Sequence, residues 1–317
     1  MNIQIINHSD GFSCQDEALI TLLTWLRKEY ILIYGKSWFF YYDCHGIDKV
    51  LSNKMAHDVR QSIDLNLMKK YYGVSMAEIK KECDKDFVSN IKFQLNLGHP
   101  VMILLKDTDC TWINKKSNPE AAVEHSIIIN DYNKTEDSFI CTDSFYSKNN
   151  IVLPNLNLEK SLIAYYTYDL VEYDKNYKWD SILTNLIMNY IKINSIYNLR
   201  MFYEELRYYN IQTEIEEKGS YEQTQFYLWF DRYRMNRKKL ELILSEAQRN
   251  CIDLEIKDTI EYSKSNYIIW CNIHRLFLKM AFMSGSSTDK IKNNIFEYLK
   301  QIITMEEKIL ESMNRFI

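Results

Sequence analysis

The sequence predicts an α+β region, with helices early and an antiparallel sheet late, followed by an all-α region. Three observations predict it. Apolar residues recur at helical spacing from Ala18 onward through most of the first hundred residues. From Pro100 they fall into short continuous runs that read as strands, and after Tyr173 the helical pattern returns and persists. The expected domains are 1–174 and 175–317, with the break near Tyr173–Lys178.

Residues 1–12 read as a short strand and loop. Ser13 has the chemistry of a helix N-cap, and Asp16, three residues on, completes a capping-box pattern. Ala18, Leu19, Leu22, Leu23, Trp25 and Leu26 then supply a buried face, with the helix ending near Lys28–Tyr30. Trp38–Tyr42 reads as a buried strand. Ser52–Tyr72 is mostly helical and Gly73 breaks it. Ser75 caps a further helix with Glu78 as its box partner. Asp86–Leu97 is another helix, stopped by Gly98 and Pro100.

Val101–Leu105 is an apolar run expected at the centre of a sheet, with Cys110–Ile113 as a second strand. The stretch from His125 to Asn130, a polar turn from Asp131 to Asp137, and Ser138–Asp143 form a predicted β-hairpin. Ile151–Leu153 and Ala164–Tyr173 complete the sheet. The later helices are expected at Trp179–Asn194, Ser195–Tyr209, Tyr221–Cys251, Ile252–Met283 and Ser287–Phe316, with Ser284-Gly285-Ser286-Ser287 as a turn.

With 317 residues, 46% of them hydrophobic, the chain can bury a substantial core. A net charge of −4 gives no reason to expect nucleic-acid binding. No signal peptide is visible and no segment reaches membrane-spanning length without charges, so no membrane association is expected. Seven scattered cysteines, with no C-x-x-C pair, fit a reducing cytoplasm. The six histidines do not cluster with cysteines at ligand spacing, so no metal and no bound cofactor is expected.

Cys14 falls at the first position of the capped helix. There, unpaired N–H groups and the positive end of the helix dipole favour a thiolate over a thiol. If Asn130 pairs with Ser138 across the hairpin turn, His125 faces Asp143 on the next strand. Directly opposed residues share a face, roughly 4.5–5.5 Å apart at Cβ. That suits an imidazole oriented by a carboxylate, with Cys14 as the nucleophile it serves. Asp131 and Asn133 are rival third members, placed in the turn. An isolated histidine before a strand or an aspartate at a turn is also ordinary structural chemistry.

The stretches Asn96–Ile103, His125–Ile129 and Ile140–Asp143 resemble the double-glycine peptidase branch of the papain-like fold. Together with Ile215–Gly219, Phe226–Phe230 and the late helix bearing Trp270, the whole chain is similar to the butirosin-biosynthesis acyltransferase family. It is similar also to the amide-forming cysteine protease homologues of closthioamide-type assembly lines. The resemblance implies a papain-like catalytic domain joined to a helical domain, with Cys14, His125 and Asp143 as triad. It implies transfer of an acyl group from the phosphopantetheine thioester of an acyl or peptidyl carrier protein to an amine, in antibiotic biosynthesis. The alternative within the same fold is a cysteine peptidase or amidase.

Two departures stand out. Gly35-Lys36-Ser37-Trp38-Phe39-Phe40 replaces a glycine-rich segment of the family, so a different acyl pocket is expected, with the aromatics either excluding water or filling a core. His8 stands where the peptidase branch has a glutamine. The Cys14 backbone N–H is then the first candidate oxyanion donor, with Asn7, His8 and Gln15 as candidates for the second. Arg232, Arg234, Arg237, Lys238 and Lys239 are read as a solvated helix face or as a docking face for an acidic carrier protein. Homodimerisation is a further role open to the helical region.

Overall fold

The computed structural model describes residues 3–5, 12–46, 50–55, 63–113, 124–173, 175–216, 224–251, 255–283 and 286–317. The chain divides into two compact units, each made of two stretches: Met1–Tyr30 with Leu65–Lys175, and Ile31–Asp64 with Asn176–Ile317. The later crossing lies at the expected break. The excursion of Ile31–Asp64 into the helical unit differs from the expected domain 1–174, which held those residues in the first domain.

The first unit is built on a six-stranded antiparallel sheet. Its strands are β1 (Val74–Lys80), β2 (Val101–Lys106), β3 (Glu124–Asn133), β4 (Ser138–Asp143), β5 (Lys148–Pro154) and β6 (Leu162–Leu170), in the order β1-β6-β2-β3-β4-β5. The apolar runs Val101–Leu105 and Ile127–Ile129 fall on the central strands, buried on both faces as their composition requires. One face carries Val101, Ile103, Leu105, Ile127, Ile129, Phe139 and Cys141 against Phe87 and Ile91 of the helix Phe87–Asn96. The helix α1 (Cys14–Trp25) packs on β3 and β2.

Several expectations are corrected in this unit. Helix α1 ends at Trp25 rather than near Lys28. Ser75 caps no helix, because Val74–Lys80 pairs along its whole length with β6. Glu78 lies opposite Tyr166 and accepts its hydroxyl at 2.8 Å, a cross-strand bond in place of the expected cap. Gly73 makes this entry possible: at φ +67 it passes so close to Val171 that a Cβ would lie 2.4 Å from its carbonyl oxygen. Cys110–Ile113 is not a strand but a turn, closed by Ile113 N–H donating to Cys110 O at 3.0 Å. The helix Phe87–Asn96 ends as expected at Gly98 (φ +81), with Gly98 N–H to Leu95 O and His99 N–H to Gln94 O. This pair of bonds is the Schellman closure that glycine permits.

The second unit contains helices Trp179–Lys192, Ser195–Leu206, Gln212–Glu216, Gln225–Asn250, Lys257–Ala281 and Ser286–Met313, close to the predicted spans. Trp38–Tyr42 is not a strand. Its backbone groups are satisfied by helix side chains instead: Phe40 N–H donates to Ser195 Oγ, Asn198 Nδ2 to Phe40 O, Tyr233 Oη to Tyr41 O and Arg237 Nη1 to Phe39 O. Phe39, Phe40 and Tyr42 join Phe202, Phe226, Phe230 and Trp270 in one core. The aromatic segment is therefore a core filler of the helical unit. Among the described residues, no helix is long and apolar enough to cross a membrane.

Candidate active site

Cys14 opens α1, and the local sequence fixes that start. Ser13 Oγ accepts the Asp16 N–H at 3.2 Å while Ser13 N–H donates to Asp16 Oδ2 at 2.9 Å, the reciprocal box that the sequence predicts. The sulfur is half-buried and lies 4.0 Å from the backbone oxygen of Glu124, the residue before His125. The first residues of α1 and β3 thus meet at one end of the sheet.

His125 and Asp143 do form a pair, but through a different register from the one expected. Asn133, not Asn130, lies opposite Ser138, followed by Tyr132 opposite Phe139 and Asp131 opposite Ile140. Continued without change, that ladder would turn Asp143 to the face of Ser126 and Ile128, away from His125. A bulge intervenes. Asn130 is the extra residue, and beyond it Ile129 lies opposite Cys141 and Ile128 opposite Thr142. The next step sets Asp143 beside Ile127, on the face that His125 shares two residues further along. Asn130 pins the bulge by donating from Nδ2 to Thr142 Oγ1 at 2.6 Å. His125 Nε2 then reaches Asp143 Oδ2 diagonally at 2.7 Å.

The carboxylate is wholly buried and held at both ends. Trp112 Nε1 donates to Oδ2 at 2.7 Å, and the Tyr146 N–H donates to Oδ1 at 3.1 Å. Burial of the imidazole alone would lower its proton affinity. Hydrogen bonds to Asp143 and Cys14, and the charges of both, outweigh it and raise the His125 pKa to about 9. With Nε2 committed to Asp143, Nδ1 is the nitrogen left for the sulfur. The imidazole thus has the thiol among its interaction partners, the neighbour that a cysteine nucleophile requires, while the sulfur's own hydrogen bond is the long one to Glu124 O. Cys141 is the contrast: full burial pushes its thiol far up, toward an inert core group.

The rival third members are occupied elsewhere. Asp131 Oδ1 accepts the Tyr132 N–H within β3, and Asn133 Oδ1 accepts the N–H groups of Thr135 and Glu136 in the hairpin turn. Of the second oxyanion candidates, Asn7 and His8 lie outside the described residues. Gln15 donates to Tyr166 Oη at 3.5 Å. No family model matches this chain, and no curated protein matches it by sequence. The case for a site rests on its geometry.

Sequence reasoning missed three neighbours. Trp112, on the segment that the sequence predicts as a strand, instead lies in a turn beside Asp143. Phe145 and Tyr146, in the turn after β4, place their rings 6.3 and 5.5 Å from the His125 ring and remain 45% and 42% exposed. Exposed aromatic residues just past a buried acid were the available signal. The basic run of the second unit is not one continuous face: Arg237 and Lys239 are buried, Arg234 pairs with Asp231 and Lys238 with Glu241. Among the described residues, no group of three or more His, Cys, Asp or Glu side chains is placed to hold a metal ion.

Proposed function

We propose that this protein is a cysteine-dependent acyltransferase of papain-like fold, which carries an acyl group from a carrier-protein thioester through Cys14 to an amine and so forms an amide. The observation that supports it is the convergence of the Cys14 thiol, at a helix start, with a His125 ring bonded to buried Asp143. The likeness to the butirosin-type acyltransferases supplies the donor and acceptor classes and the setting, natural-product assembly in the cytoplasm.

In the first half-reaction, the Cys14 thiolate attacks the thioester carbonyl. The new carbon–sulfur bond forms as the pantetheine sulfur leaves, taking the proton from the His125 imidazolium. Exchange of one thioester for another is nearly isoenergetic, so no further activation of the donor is needed. In the second half-reaction, an amine attacks the acyl-enzyme and His125 takes its proton. Collapse releases the amide and restores the thiolate beside imidazolium. The Cys14 backbone N–H, at the helix start where no intrahelical partner is available, is the first candidate donor for the developing oxyanion. Asp143 fixes the ring and favours its cationic form throughout.

The test is intact-protein mass spectrometry with acyl-loaded carrier proteins and acyl-N-acetylcysteamine thioesters, with and without amines. A covalent adduct that is lost in Cys14→Ala, and discharged faster by amine than by water, is the expected result. Discharge to free acid alone, or cleavage of peptides, would assign the site to a hydrolase instead. Absence of an adduct with every thioester would remove the transferase reading.

A further inference from the structure

The oxygen of Asp143 that faces the imidazole has a second claimant. Trp112 Nε1 and His125 Nε2 both lie 2.7 Å from Oδ2, whereas among the described residues Oδ1 receives only the Tyr146 N–H, at 3.1 Å. Trp112 is half-buried, so its indole N–H need not find a partner inside the protein. It nevertheless takes the one oxygen that orients the histidine. We propose that Trp112 is a positioning residue for the Cys14–His125 pair: its N–H locks the rotation of the Asp143 carboxylate and draws on the charge of Oδ2, limiting the pull of that oxygen on the imidazolium.

The indole and the imidazole compete for one oxygen. Two donors on one carboxylate oxygen share its electron density, and each weakens the other. Removing the indole donor leaves Oδ2 to the imidazole alone. It also leaves the buried carboxylate less satisfied, which makes it a stronger acceptor. Both effects move the ring in one direction, toward keeping its proton to higher pH. Among the described residues, the ionisable groups around the His125–Asp143 pair are Cys14 on α1, Glu124 on β3, Asp107 and Cys110 in the turn after β2, Cys141 on β4, and Tyr146 after it. All of these residues are kept in the Trp112 variants, and the shape-preserving one also keeps the packing, so a shift common to both variants reports the loss of the indole N–H.

The inference rests on the Cys14–His125–Asp143 reading, but its test needs no acyl donor. The His125 ring is titrated by NMR, and alkylation of Cys14 by iodoacetamide is followed against pH by peptide mapping. Wild type is compared with Trp112→Phe and with a protein carrying β-(3-benzothienyl)alanine at position 112, which keeps the shape of the indole and lacks its N–H. The His125 titration and the alkaline limb of alkylation should both move upward by about half to one pH unit in the two variants. No movement, or a downward one, in a folded variant overturns the proposal. Movement in Trp112→Phe but not in the shape-preserving variant also overturns it, by assigning the effect to packing. Titrations that shift in a protein that transfers no acyl group would sink the proposed function and leave this inference standing. Transfer with unmoved titrations would do the reverse.

Discussion

The two units hold the same three-part motif and use it differently. In the first, buried Asp143 receives a tryptophan N–H from Trp112 and a cationic partner in His125, each at 2.7 Å. In the second, buried Glu306 receives a tryptophan N–H from Trp38 and a cationic partner in Arg237, again each at 2.7 Å. The differences lie in the cation and in the oxygens. Arg237 never gives up its proton, and it takes Oε1 while Trp38 takes Oε2, so the cation and the indole do not share an oxygen. Asn266 adds a further donor to Oε1 at 2.8 Å. His125 can release its proton, shares its oxygen with Trp112, and has a thiol on its other side. A buried charge pair is therefore not in itself a sign of chemistry. A movable proton beside a thiol is what separates the copy proposed as reactive from the structural one.

The largest expected effects break the two copies in opposite ways. Cys14→Ala should abolish adduct formation while leaving the urea unfolding midpoint within the small range of ordinary half-exposed substitutions. Arg237→Met should do the opposite for stability. It strands Glu306 as an unpaired buried charge, a loss of about 3–5 kcal/mol by urea unfolding. Arg237→Met with Glu306→Leu should recover much of that loss, because the pair then leaves together. If the double variant is no better than the single one, Glu306 is not stranded and the structural reading of this copy fails.

How far the sequence disclosed these two sites follows from range and register. The reactive copy was largely legible. Ser13 and Asp16 mark the helix start locally, and the His125 and Asp143 strands flank a readable turn. The register was not legible, because a bulge needs only one extra residue and Asn130 carries no glycine signature. The diagonal contact survived that error because the shift at the active end is even, which preserves the face. Trp112 was invisible because a turn and a short strand look alike over four residues. The structural copy was not legible at all. Trp38 and Glu306 are 268 positions apart, and an aromatic run satisfied by helix side chains has the same pattern as a buried strand. The basic run containing Arg237 reads as a surface stripe until its partner is known.

A smaller effect separates the copies by pH. The folded His125 keeps its proton to about 9, while an unfolded histidine releases it near 6.5. Between those values the native state binds more protons than the unfolded one, so stability falls as pH rises. The contribution is fully present below about 6.5 and is gone above about 9. Urea midpoints measured across this range should show the decline in wild type and a flatter profile in His125→Gln. In Arg237→Met the decline should persist, since the arginine does not titrate there. A wild-type profile parallel to that of His125→Gln would mean the ring gains no proton affinity on folding.

The smallest effect concerns what holds the reactive copy together. Ser13→Ala removes the acceptor of the Asp16 N–H and one side of the reciprocal box, a loss of about 1 kcal/mol. By stability alone the substitution is unremarkable. Its significance is positional, because the next residue is the proposed nucleophile. Fraying of the first turn would loosen the N–H groups around Cys14 and the distance from its sulfur to His125. The rate of Cys14 alkylation should therefore fall by more than the lost stability accounts for, with the His125 titration drifting back toward 6.5 as the thiolate charge moves away. A cap removed from the helical unit offers the control. Thr224→Ala deletes the bond from Tyr227 N–H to Thr224 Oγ1 at the start of Gln225–Asn250 and should cost a similar amount, with no change at Cys14. Equal effects of the two variants on alkylation would show that the start of α1 has no special part in placing the sulfur.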